Sequence, residues 1–111
     1  MISEKSFAFA VRIVKMCRHL RSERRELVLS QQLLRSGTSI GANVSEAKQA
    51  QSRADFIAKM SIALKETAET KYWLRLLHET DDLNETEFQS VFSDCSELEK
   101  ILTSIIKTAK Q

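Results

Sequence analysis

The stretch Arg35-Ser-Gly-Thr-Ser-Ile-Gly-Ala-Asn-Val-Ser-Glu-Ala47 decides the fold. It contains both glycines of the chain, four residues apart, and still keeps a helical phase. Leu29, Leu33, Gly37, Ile40, Val44 and Ala47 recur at three- and four-residue steps and make one apolar face. Arg35, Ser39, Asn43 and Glu46 fall within about 80° of one another and make a separate polar ladder. Each glycine lowers helix propensity by about 1 kcal/mol relative to alanine, but the spacing runs through both without a slip. The glycines are therefore expected where a second helix comes close. A phosphate-binding loop is excluded, because Gly-x-x-x-Gly is followed by Ala-Asn rather than by Gly-Lys-Ser/Thr. The segment is also too polar for the membrane version of this glycine spacing.

Working outward, the chain reads as four helices, over about residues 3–21, 24–50, 53–79 and 84–109. Ser3 is the expected N-cap of the first, with Ile2 and Phe7 as a hydrophobic staple. Its apolar residues form two stripes, Phe7-Ala10-Val11-Val14-Cys17 and Phe9-Ile13-Met16-Leu20, more than one buried face requires. The second helix follows a charged link around Ser22-Glu23-Arg24. The third opens at Ser52 with Asp55 at the capping-box position, and ends near Thr80 before Asp81-Asp82. The fourth opens on an Asn84/Glu87 capping box flanked by Leu83 and Phe88. Phe88, Val91, Cys95, Leu98, Leu102, Ile105 and Ala109 then follow at helical steps. Four helices with short links predict an all-α, up-down-up-down antiparallel four-helix bundle, one domain over residues 1–111. The surplus apolar surface predicts self-association.

Composition agrees. Proline is absent and the 111 residues are 42% hydrophobic and 29% charged, which favours long helices over sheet or disorder. No CxxC motif and no Cys/His cluster occurs, so Cys17 and Cys95 read as small core residues and no metal is expected. With no apolar run of 18 residues and no signal-like start, the expectation is a soluble cytoplasmic chain with reduced thiols and no membrane contact. The net charge of +2 hides an asymmetry. Residues 1–60 hold 11 Lys/Arg against 5 Asp/Glu, and residues 61–111 hold 6 against 10. Such halves can pair within a bundle, or leave one basic surface for nucleic acid.

Catalytic signals are weak. His19 and His78 lack a serine or cysteine at any diagnostic spacing, and the Glu-x-x-His repeats of di-metal bundles are missing. Glu66 and Glu69 share a helix face as paired catalytic carboxylates can, but Lys65 and Arg35 are the expected partners. No catalytic residue and no cofactor is assigned. The polar ladder of Arg35, Ser39, Asn43 and Glu46, joined by Glu69, is expected to be an interhelical hydrogen-bond network. The basic run is the better sign of an activity. Lys5, Arg12, Lys15, Arg18, His19, Arg21, Arg24 and Arg25 crowd the first helix and link, a pattern suited to phosphate contacts. No aromatic residues interleave with them, so base stacking is not indicated.

Leu33–Ala47, Asp55-Phe-Ile57 and Ser61–Leu74 together resemble the four-helix bundle proteins of the 23S rRNA intervening-sequence family, bacterial proteins of which some are encoded within insertions in ribosomal RNA genes. Arg35, Ser39, Asn43, Glu46 and Glu69 match the family's polar positions, and the chain departs at Thr67 and at Lys71, where an acidic residue is common. The resemblance implies a homopentameric ring. A related family, the accessory proteins of diversity-generating retroelements, is basic and binds nucleic acid and a reverse transcriptase. The combined expectation is a non-enzymatic oligomeric scaffold associated with RNA or DNA through the basic surface. The alternative is an adaptor whose partner is a protein such as a polymerase or reverse transcriptase, with no direct nucleic-acid contact.

Overall fold

A computed structural model describes all 111 residues. Four helices follow in order: α1 (Ile2–Ser22), α2 (Val28–Ala47), α3 (Arg53–Glu79) and α4 (Glu85–Ala109). Each packs on its neighbours in sequence, and α1 closes on α4 over a much shorter contact, so the bundle runs up-down-up-down with one loose seam. It measures 45 × 20 × 19 Å. The core is a column of fully buried aliphatic side chains, among them Ile13, Leu20, Leu33, Ile40, Leu74, Leu77 and Leu102. The free Cys17 and Cys95 are buried in it.

The glycines of α2 sit against α1 as the spacing predicts. A Cβ on Gly37 would lie 2.9 Å from two carbons of Ile13, and one on Gly41 would lie 3.2 Å from the carbonyl oxygen of Ser6. Neither glycine has a positive φ, so each is there for space, not for backbone freedom. Small hydroxyl residues extend the same logic. Ser6, Ser30, Ser36, Thr67 and Thr70 are all buried. Ser30 returns its hydroxyl to Glu26 O at 2.6 Å, and Thr70 donates to Ser36 Oγ across α2 and α3 at 3.0 Å. No buried side-chain polar atom lacks a partner, so these residues allow close approach without a desolvation penalty.

The helix ends depart from the sequence reading in four places. Ser3 lies inside α1, which begins at Ile2 with Met1 as an N-cap that makes no side-chain bond. Phe7 is 71% exposed, so it staples nothing. Cys17 belongs to the inner stripe with Phe9, Ile13 and Leu20, because drift of the 3.6-residue turn carries it onto the core face. The second helix is shorter than the periodicity predicts at both ends, starting at Val28 instead of 24. Arg25 sits at φ 56, which breaks the phase, and Glu26 then accepts from Leu29 N at 2.9 and 3.2 Å. At the far end Gln49 and Ala50 tighten into i→i−3 turns. At α3, Ser52 caps Asp55 N at 3.0 Å, but Asp55 accepts from Gln51 N rather than completing the box on Ser52. The Asn84/Glu87 box on α4 is complete, with Glu87 N donating to Asn84 at 2.8 Å and Asn84 N to Glu87 at 3.3 Å.

Candidate nucleic-acid interface

The eight residues of the basic run divide by partner. Lys5 pairs with Glu97 at 2.9 Å and Arg12 with Asp94 at 2.7 Å, both across the loose seam to α4. Arg24 reaches Asp82 at 3.4 Å and the Asp81 carbonyl at 2.7 Å, tying the first link to the third. His19 is exposed and borders a hollow of about 390 Å³ that also contains Asp81, Asp82 and Glu87. Lys15, Arg18, Arg21 and Arg25 are exposed and take part in none of the chain's ion pairs. On α1 the first three of these fall within about 120° of arc on the outer surface.

The polar ladder of α2 separates into three local units. Arg35, 50% exposed, crosses to α3 and donates from Nη1 to Glu66 Oε2 at 3.0 Å, with Nη2 reaching both Glu66 Oε1 at 3.5 Å and Glu69 Oε2. Glu66 and Glu69 meet one guanidinium because residues three apart share a helix face. Trp73, one further turn along α3, donates its indole N–H to the same Glu69 oxygen at 3.0 Å. The indole and the Arg35 guanidinium hold the Glu69 carboxyl below its ordinary range, and Glu66 and then Glu69 raise Arg35. Ser39 and Asn43 form the second unit within α2, Asn43 Nδ2 donating to Ser39 O at 2.9 Å and to its hydroxyl at 3.1 Å. Glu46 forms the third, with Lys59 at 3.1 Å. Lys65, expected to share the two carboxylates, pairs with neither. Trp73 is the member that sequence reasoning missed, although its i,i+4 distance from Glu69 was the available signal.

Other groups are held in structural roles. His78 stacks on Phe88 with ring centroids 4.2 Å apart and places Nε2 3.1 Å from Glu85. Burial pushes the Cys17 thiol up to about 11, against a small opposing pull from Arg21, and the Cys95 thiol up to about 12. No three His, Cys, Asp or Glu side chains are grouped to hold a metal ion. No helix is long and apolar enough to cross a membrane.

The chain as a whole has close relatives. A crystal structure from Bacteroides thetaiotaomicron, described as a protein with unknown function from the S23 ribosomal protein family, superposes with a TM-score of 0.96 at 54% identity, over 96% of this chain and 99% of that one. No functionally curated protein matches. The profile of the 23S rRNA-intervening sequence proteins matches residues 1–104, nearly the whole bundle just described. By that match the chain belongs to the 23S rRNA-intervening sequence protein family.

Proposed function

We propose that this protein is a non-enzymatic, oligomeric scaffold that associates with nucleic acid through a basic surface. The observation that carries the reading is the set of exposed, unpaired cations Lys15, Arg18, Arg21 and Arg25, which no carboxylate of the bundle neutralises. Such cations displace counterions from a phosphate backbone and give sequence-independent, salt-sensitive affinity. The family's description as 23S rRNA-intervening sequence proteins supports an association with RNA.

Self-association is the second part of the proposal, with a homopentameric ring as its form. Phe7 and Val11, 71% and 40% exposed, continue through the half-buried Ala10 and Val14 as an apolar stripe on the outside of α1. Burying that stripe between copies would repeat each subunit's cations around the assembly and multiply weak contacts. Titration of a structured RNA at low and at high salt tests the first part: saturable binding that weakens steeply with salt is expected, and absence of binding at low salt overturns it. Light scattering tests the second, and a monomeric mass at micromolar concentration removes the ring. Leu27 and Val28, 54% and 71% exposed at the bundle tip, favour a second reading as a protein adaptor. A partner pull-down that survives nuclease, with no direct RNA binding, selects that reading.

A further inference from the structure

Five of the six basic residues of the acidic half of the chain border the outer side of the α3–α4 seam: Lys65, Lys71 and Arg75 from α3, and Lys100 and Lys107 from α4. On α3, Lys65, Lys71 and Arg75 fall within about 120° of arc, and on α4 Lys100 and Lys107 fall within about 20°. The acidic residues of these helices mostly point elsewhere. Glu66 and Glu69 turn to Arg35 on α2, and Asp94 and Glu97 turn to Arg12 and Lys5 on α1. Glu99 alone stands among the lysines in the middle of the groove, and Lys71 neutralises it at 3.0 Å while lying 4.9 Å over the Phe92 ring. The open cleft of about 680 Å³ beside this pair is lined by Lys65, Lys100 and Lys107, with Thr103, Ser104 and the apolar Leu64 and Ala68 on its floor. None of its three lining lysines belongs to an ion pair. The groove ends beyond Arg75, where Glu79 and Glu85 restore negative charge.

We infer that this α3–α4 groove is a phosphate-backbone site for single-stranded nucleic acid. The inference rests on the nucleic-acid reading above and relocates its main contact. Charge complementarity identifies the occupant: three solvated cations around a shallow cleft, with the nearest carboxylate already neutralised, fit a run of phosphodiesters. The cleft between two packed helices is narrower than a duplex, since interaxial distances are about 8–10 Å, so a single strand lies along it. Its lysines stand against small side chains and a neutral floor, whereas Lys5 and Arg12 of α1 and Arg24 of the following link are held by Glu97, Asp94 and Asp82. The groove also lies on a different flank from the exposed Phe7–Val14 stripe of α1, so association through that stripe leaves it open.

The test compares two triple variants of the full chain, Lys65→Gln/Lys100→Gln/Lys107→Gln and Lys15→Gln/Arg18→Gln/Arg21→Gln. Circular dichroism checks that each is folded, and fluorescence anisotropy follows binding of a labelled 12-nucleotide oligouridylate between 50 and 200 mM salt. The groove variant is expected to lose about tenfold in affinity at the lower salt and about 2 in log–log salt slope, as three lost phosphate contacts on a single strand require. The α1 variant is expected to change less. The opposite ranking overturns the groove and leaves the nucleic-acid reading intact. A wild type that binds no strand at low salt overturns the groove, and one that also binds no structured RNA at low salt overturns the nucleic-acid reading with it. Equal affinity for polyglutamate of matched charge shows a generic polyanion surface and overturns the groove as a nucleic-acid site.

Discussion

Helix α1 is held on one side by contact and on the other by charge. Its α2 seam is close, with Ile13 over Gly37 and the Ser6 backbone over Gly41. Its α4 seam is the shorter contact, and the Lys5–Glu97 and Arg12–Asp94 pairs bridge it beside Phe9 and Leu98. The difference teaches how the bundle sets its register. Steric repulsion rises steeply inside van der Waals contact, so the α2 seam resists an added atom at Gly37 and leaves little room for one at Gly41. Half-exposed ion pairs act over a longer range but are screened by salt, so the α4 seam aligns the helices without binding them tightly.

The largest effect that would break this contrast is a methyl group in the close seam. Gly37→Ala should destabilise the bundle by about 1–3 kcal/mol, because the new Cβ overpacks Ile13, although alanine has the better helix propensity. Urea unfolding measures it. Ile13→Ala costs about 2–5 kcal/mol by itself, and the double variant should fall short of additivity by more than about 0.5 kcal/mol. Simple additivity would mean that the two residues do not limit each other.

The α2–α3 seam is intermediate, because Arg35 adds an ionic cluster over a packed interface. Glu66 is only 13% exposed, so Arg35→Ala should cost about 1 kcal/mol, near the top of the range for exposed pairs. The cluster also predicts a pH dependence. Glu69 has a depressed pKa in the folded state, so its stabilisation is fully present above the ordinary carboxylate value of 4.5 and is lost as pH falls through the folded value. Trp73→Phe removes the indole hydrogen bond, the largest cause of that shift. This variant should therefore lose less stability than the wild type between neutral pH and acid. An acid-unfolding midpoint unchanged by the substitution would discount the indole bond.

The loose seam should yield the smaller number. Arg12→Ala is expected to cost less than about 1 kcal/mol and to become neutral in high salt, because its partners remain solvated. A salt-independent loss would show that Arg12 packs rather than pairs. Least change of all is expected at the thiols: with both cysteines buried and their pKa values raised, alkylation of folded protein at pH 8 should be slow beside that of unfolded chain.

Much of this was legible from residues. The Asn84/Glu87 box marked the start of α4 because capping is local chemistry, completed within four residues. The stripe from Leu33 to Ala47 marked the core face of α2 because apolar periodicity survives any arrangement of the neighbours. Its two glycines announced a close helix for the same reason. The start of α2 was not legible, since nothing in Arg24-Arg25-Glu26 announces a left-handed residue. The polar ladder was legible as a face but not as a network. It divides because α3 offers Glu66 and Glu69 beside Arg35 but Lys59 beside Glu46, while Ser39 and Asn43 bond each other within α2.

By itself the sequence determined the helices, their inner faces and the family, since each depends on spacing within a few turns or on an unbroken motif. The tertiary structure decided which charges are used up. Lys5 and Glu97 are 92 residues apart, and their pairing, like the escape of Lys65, Lys100 and Lys107 from any carboxylate, depends on which helix lies beside which. Summed charge made the first half of the chain look basic and the second acidic. Packing neutralises part of the first with the second and leaves Lys65, Lys100 and Lys107 of the acidic half gathered in one groove, because a charge acts through its nearest neighbours in space and not through its neighbours in sequence.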